Sequence, residues 1–175
     1  MAFHHVAIAT KDLDATHRFY TEVMGFELVK TEVAPAPEGG WARHLFYDTG
    51  GGSCLAFWDL HDDPAVPDTF DPSISRGLGL PSWTNHLAFD AHDLDTLDAV
   101  QRRWLDHGYD VLRLDHGWCE SIYIDDPNGI AVEFCCTTVT FTDADRHEAD
   151  ELRRAVTPAQ SAPPAPEILA AAVSS

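Results

Sequence analysis

The segment His5-Val-Ala-Ile-Ala-Thr-Lys-Asp-Leu-Asp returns later in the chain as His86-Leu-Ala-Phe-Asp-Ala-His-Asp-Leu-Asp. The offset is 81, and it superposes Asp12, Leu13 and Asp14 on Asp93, Leu94 and Asp95. Gly25-Phe26 then matches Gly108-Tyr109, and Asp48, Gly52 and Phe57 match Asp125, Gly129 and Phe134 at an offset of 77. A chain that repeats one plan folds into two like units, because each copy presents the same periodicity and the same turn signals. A length of 175 residues accommodates two small repeats packed into one domain.

The plan reads as a strand, a helix, then further strands. His5 to Ala9 alternates as a half-buried strand does, and the Asp-Leu-Asp after it supplies N-cap chemistry for a helix from Leu13 to Val23, stopped by Gly25. In the second copy the helix runs from Leu94 to Asp106, with Gly108 as its stop. Strand-like stretches follow each helix: Phe26 to Thr31, His44 to Asp48 and Ser53 to Asp59, then Tyr109 to Leu114, Ser121 to Asp125 and Ile130 to Cys136. Gly50-Gly51-Gly52 and Asp126-Pro127-Asn128-Gly129 are turn signals between neighbouring strands. The expected class is α+β, with two tandem βαβββ modules enclosing an open, barrel-like metal-binding cavity.

One domain over residues 1–156 is therefore expected: module one at 3–60, a connector at 61–82, module two at 83–140 and a C-terminal helix at 143–156. The Pro-, Asp- and Gly-rich connector is long enough to fold over a site as a lid. Residues 157–175, mainly Pro, Ala and Ser, suggest a loosely ordered tail or an arm onto a partner subunit.

Charge narrows the partners. With 11 basic against 29 acidic residues and a net charge of −18, the chain lacks the clustered Lys and Arg that nucleic acid or an anionic membrane surface requires. No apolar run approaches the length of a bilayer span. The first strand begins almost at once, without a basic leader, so a cytoplasmic location is expected. Cys54, Cys119, Cys135 and Cys136 have no C-x-x-C spacing, which reads as reduced thiols rather than a zinc knuckle or redox pair.

A lone histidine in an apolar strand is more often a satisfied core residue than a ligand. His5 and His86, however, hold the same place in two repeats, on strands that would face each other under pseudo-twofold packing. Glu133 is an acid in the apolar run Ile130-Ala-Val-Glu-Phe-Cys, where burial without a partner costs roughly several kcal/mol. A metal ion among His5, His86 and Glu133 accounts for all three. Two imidazoles and one carboxylate with open positions form the ligand set of non-haem Fe(II) oxygenases. The repeat places Ala56 opposite Glu133, so no fourth ligand is supplied.

The pairing of such repeats, with ligands on first and last strands, resembles the vicinal oxygen chelate superfamily, which includes glyoxalase I, extradiol dioxygenases, epimerases and antibiotic-binding proteins. Within it, His116-x₅-Ile122-Tyr123-x₂-Asp126-Pro127-x-Gly129-x₃-Glu133 resembles the signature of type I extradiol ring-cleaving dioxygenases. The resemblance spans Phe3 to Thr140. It implies Fe(II) on His5, His86 and Glu133, Tyr123 hydrogen-bonding a bound catecholate, and His116 near the substrate or oxygen. The implied reaction opens a catechol, L-DOPA among the candidates, with O₂; a dimer is consistent with the superfamily. The alternatives are a barrel-lining role for Tyr123 and an exposed loop position for His116.

Two positions depart from the pattern. Leu114 stands where a smaller or branched residue is usual, and Ser53 stands where such dioxygenases carry an acid-base histidine. By the internal register Phe46 matches Tyr123, and His44 two residues earlier shares its face. His44 is thus the candidate acid-base group, the alternative being that it packs beside Trp41. Two other functions remain in view: a glyoxalase-like lyase, isomerase or epimerase, which the missing fourth ligand disfavours, and a metal-free module that binds an aromatic ligand, which the ligand triplet disfavours.

Overall fold

The computed structural model describes residues 3–172. Its element order repeats as the sequence does. Module one contains β1 (His5–Thr10), α1 (Leu13–Arg18), β2 (Glu27–Pro35), β3 (Trp41–Gly50) and β4 (Ser53–His61). Module two contains β5 (His86–Asp90), α2 (Leu94–Asp106), β6 (Val111–Asp115), β7 (Cys119–Asp125) and β8 (Ala131–Thr137). After these come α3 (Asp143–Arg154) and a short strand, β9 (Glu167–Leu169). The chain is α+β, two tandem βαβββ modules whose sheets stay separate: β1-β4-β3-β2, and β5-β8-β7-β6-β9.

The helices begin and end where their sequence signals lie. Asp12 caps α1 by accepting from the Ala15 N–H at 2.9 Å, and Asp93 caps α2 by accepting from the Thr96 N–H at 2.7 Å. Gly25 and Gly108, at φ of +79° and +85°, turn the chain out of each helix in a conformation that L side chains rarely adopt. Between Arg18 and Gly25 the helix widens into a π-helical turn, Phe19–Val23. That turn sends Phe19, Tyr20, Val23 and Met24 into the core together.

Each strand contributes one face to a single core. Leu45, Tyr47, Leu55 and Phe57 of module one and Val111, Ile122, Val132 and Phe134 of module two join the helix residues Tyr20, Leu97 and Trp104 in one buried cluster. Phe26 meets Phe89 across the modules at 5.0 Å between ring centroids. The Asp126–Gly129 turn joins this seam: the Tyr20 hydroxyl donates to Asp126 Oδ2 at 3.0 Å, and Asn128 Nδ2 donates to Thr16 Oγ1 at 3.1 Å. The modules are therefore joined through their helix-bearing sides. By strand alternation, the faces carrying His5 and His86 are turned away from the shared core.

Two segments differ from the sequence reading. The connector runs beside β1 and braces the Asp126–Gly129 turn, with Ser73 Oγ donating to the Gly129 carbonyl at 2.8 Å. Only its last residue, Ser82, reaches the cavity described below, next to Trp83 at the start of module two. The tail is not wholly loose, because β9 pairs antiparallel with β6 and Leu169 packs against the core. Pro and Ala richness around it hides a three-residue strand whose apolar side chains alternate. Residues 173–175 of the tail lie outside the described residues.

Candidate metal centre

On β8, alternation sends Val132, Phe134 and Cys136 into the core and leaves Glu133 on the opposite face. The register sets Glu133 between Tyr123 of β7 and Ala88 of β5. Its carboxylate is buried, at 5% exposure, and its two oxygens diverge to different partners. Oε2 lies 3.1 Å from His86 Nε2, and Oε1 accepts from the Tyr123 hydroxyl at 2.9 Å. His116 Nε2 stands 3.1 Å from the same hydroxyl oxygen. With the single phenolic proton committed to Glu133, His116 is the donor in that contact and carries its proton on Nε2. Burial holds the Tyr123 phenol well above its ordinary value, and the Glu133 charge adds to the rise, so it remains a neutral donor. His86, His116, Tyr123 and Glu133 form one connected group.

Module one has the same frame with different side chains. Ala7 pairs with Ala56 as Ala88 pairs with Glu133, and Phe46 pairs with Ala56 as Tyr123 pairs with Glu133. The sequence repeat is thus a structural repeat at the level of single residues. His5 shares this face, its ring 5.4 Å from that of Phe46 and 6.0 Å from that of His44. His44 stacks on Trp58 at 3.7 Å, whereas Trp41 stacks on His61. His44 is 8% exposed and its Nε2 is buried without a hydrogen-bond partner. Burial lowers its pKa below the usual histidine value, and the neighbouring His5 lowers it further.

His5 and His44 thus meet in one half, and His86, His116, Tyr123 and Glu133 in the other. Among the described residues, no three of His, Cys, Asp or Glu gather at metal-ligating spacing within this chain. The donor chemistry nevertheless fits a divalent ion. His86 Nε2 and Glu133 Oε2 converge from adjoining strands, and the unpartnered Nε2 of His44 lies beside a third imidazole on the matching face.

A cavity of about 920 Å³ opens over the His86, His116 and Tyr123 side chains. Its walls include Trp83, Leu112, Pro164 and Ile168, none of which the sequence reading singled out. Trp83 could have been found by its place three residues before His86. Ile168 could have been found as the β-branched residue of the Glu-Ile-Leu run that follows the proline-rich stretch.

A model of the Glyoxalase/Bleomycin resistance protein/Dioxygenase superfamily matches residues 2–134. No curated protein matches the chain. Among solved structures, it is similar to a glyoxylase/bleomycin resistance protein/dioxygenase domain from Frankia sp. EAN1pec. The TM-score is 0.59 at 20% identity, over 84% of this chain and 98% of that one. It is also similar to a lactoylglutathione lyase from Agrobacterium tumefaciens, with TM-score 0.50 and 25% identity over 77% of this chain and 92% of that one. A third is TnmS3, an antibiotic binding protein from Streptomyces sp. CB03234, with TM-score 0.54 and 18% identity over 79% and 97%.

Proposed function

The chain belongs to the Glyoxalase/Bleomycin resistance protein/Dioxygenase superfamily, and we propose that within it the protein is an Fe(II)-dependent extradiol dioxygenase that opens a catechol with O₂. The observation that carries this reading is the Tyr123 hydroxyl, held between Glu133 and His116 beside His86. A neutral donor placed next to two metal-type ligands is what a chelated catecholate requires. Ala56, at the place equivalent to Glu133, leaves room for two external ligands where a lyase or isomerase would retain a fourth protein group.

His86 and Glu133 hold the ion from module two, and the third ligand is the partner subunit's His5. Because the modules of one chain are joined through their helix-bearing sides, a two-fold pair of chains offers the simplest way to bring the face of His5 onto the face of His86. Such a dimer contains two equivalent sites. Bound Fe(II) supplies adjacent open positions for substrate and O₂ and a path for electrons between them.

The chain's own groups do the rest. Tyr123 redirects its hydroxyl proton from Glu133 to a substrate oxygen, and His116 takes over part of the orientation of that phenol. His44 lies beside His5 and so enters each site from the same subunit as that ligand. Neutral near pH 7 because its pKa is lowered, it accepts a catechol proton and returns it to the developing product. Both atoms of O₂ enter a ring-opened semialdehyde acid, so no external reductant is consumed.

The test is to load the full-length protein with Fe(II) anaerobically, add a panel of catechols including L-DOPA, and admit oxygen. One O₂ consumed per catechol, with the visible absorbance of an open-chain product, is the expected result. Bound iron with no uptake across the panel overturns the reading.

A further inference from the structure

Beyond the metal ligands, the second sheet carries an added strand that neither the duplication nor the proposed chemistry uses. β9 extends it past β6, pairing Val111 with Leu169, Leu112 with Ile168 and Arg113 with Glu167. Register then defines a row across the sheet: Ile168 on β9, Leu112 on β6, Tyr123 on β7 and Glu133 on β8. All four side chains lie on one face, and the rows of a sheet are spaced by about 4.8 Å per strand, which places Ile168 about 10 Å from Tyr123. The strand is latched from behind. Leu169 packs into the core on the other face, and the Ala171 N–H donates to Asp110 Oδ1 at 2.8 Å.

Pro163 and Pro164, immediately before β9, line the same cavity as His86 and Tyr123. Without β9, β6 would be the free edge of the sheet and the Leu112 side of the cavity would open to solvent. Across the cavity stands Trp83. Apart from His86, His116 and Tyr123, the ionisable residues lining the cavity are Asp110 and Asp125, both acidic. An anionic ligand entering this space meets two carboxylates and, beyond the two imidazoles, no lysine or arginine among the described lining residues.

We infer that the C-terminal segment Pro163–Leu169 is the outer wall of the substrate chamber, and that this chamber selects an uncharged or cationic aromatic over an anionic one. The inference rests on the proposed placement of the active site on this face, but it can be tested without metal, oxygen or turnover. Tail residues act here as specificity determinants: Ile168 and Pro164 touch the ligand, and Leu169 holds them in place.

The experiment measures binding of 1-naphthol and of 1-naphthalenesulfonate to the full-length protein by their fluorescence, in the wild type, Leu169→Asp and Pro164→Trp. Leu169→Asp unlatches the strand, and amide exchange at Val111 to Arg113 reports whether it has done so. Pro164→Trp keeps the strand and fills the chamber, so it remains informative should the first variant misfold. The expected result is naphthol binding by the wild type, weakened about tenfold or more in both variants, with the sulfonate at least about tenfold weaker than naphthol. Absence of naphthol binding, equal affinity in all three proteins, or a sulfonate bound as well as naphthol overturns the inference. Strand-dependent naphthol binding in a protein that opens no catechol leaves the wall standing and removes the dioxygenase reading. Catechol opening that Leu169→Asp leaves untouched does the reverse.

Discussion

Ala56 lies opposite Ala7 in the first sheet in the position where Glu133 lies opposite Ala88 in the second. The duplicated frame holds a carboxylate in one copy and a methyl group in the other. Ala56→Glu should therefore add a fourth ligand and close a position that the proposed chemistry needs. Catechol turnover is expected to fall by about tenfold or more while iron is retained. Ala56 is fully buried, so the apo variant should melt below the wild type. Metal should then raise its Tm by more than it raises that of the wild type. A variant that turns over catechol as fast as the wild type contradicts the role given to the vacancy.

Tyr123→Phe removes the hydroxyl shared by Glu133 and His116 and little else. Metal content should be unchanged, since His86 and Glu133 remain. With the loss of a hydrogen bond to a charged acceptor, kcat/KM is expected to fall by about 10- to 100-fold. Because burial keeps this phenol protonated, the residual activity should follow the wild-type pH profile rather than lose a limb. Steady-state oxygen uptake from pH 6 to pH 9 measures both.

For His44, the expected variant is His44→Gln. The imidazole stacks on Trp58 with its Nε2 unpaired, and glutamine retains polarity and much of the volume without the ability to shuttle a proton. An iron stoichiometry equal to the wild type with kcat lowered about 100-fold supports an acid-base role. Equal kcat in the two proteins leaves His44 as packing.

Much of this arrangement was legible in the sequence because it follows from period and register. The helix Leu94–Asp106 was bounded by its Asp93 cap and Gly108 stop, and the equivalence of Ala56 with Glu133 followed from one offset of 77. The connection Tyr123–Glu133 was legible for the same reason, since ten residues across a tight turn return to an adjoining strand. What could not be read was which faces the two modules bury against each other. Pseudo-twofold packing within one chain would have joined His5 to His86. The apolar residues of α1 and its π-helical turn instead join the helix-bearing sides. The Asp126–Gly129 stretch, read as a turn, is also the clasp of that seam, because the partners of Asp126 and Asn128 lie more than 100 residues away.

That clasp has a pH signature. Burial raises the Asp126 pKa above the usual carboxylate value, and its hydrogen bonds, Tyr20 among them, hold the rise in check. A carboxyl protonated more readily folded than unfolded contributes stability that is present below its unfolded pKa and lost as pH rises through the folded one. Tyr20→Phe removes one donor from the ionised form, raising that pKa further. The variant should lose about 1–3 kcal/mol at pH 7.5 and less at pH 5, by urea unfolding at both. A loss that is equal at the two pH values argues that the Tyr20 hydroxyl serves only as packing. Metal content should be normal in either case.

The most direct measurement is complementation between two single-ligand variants. His5→Ala and His86→Ala are each expected to bind iron poorly and to leave catechol untouched. In a mixed dimer, the intact His5 of one chain meets the intact His86 and Glu133 of the other, which restores one complete site of two. Co-expression of the two chains under separate tags, followed by purification of the doubly tagged dimer, should yield about one tightly bound iron per dimer and about half the wild-type rate of oxygen uptake. A doubly tagged dimer that stays empty and inactive contradicts a site shared between two chains, and a His5→Ala chain that alone keeps its iron and its rate removes His5 from the ligand set.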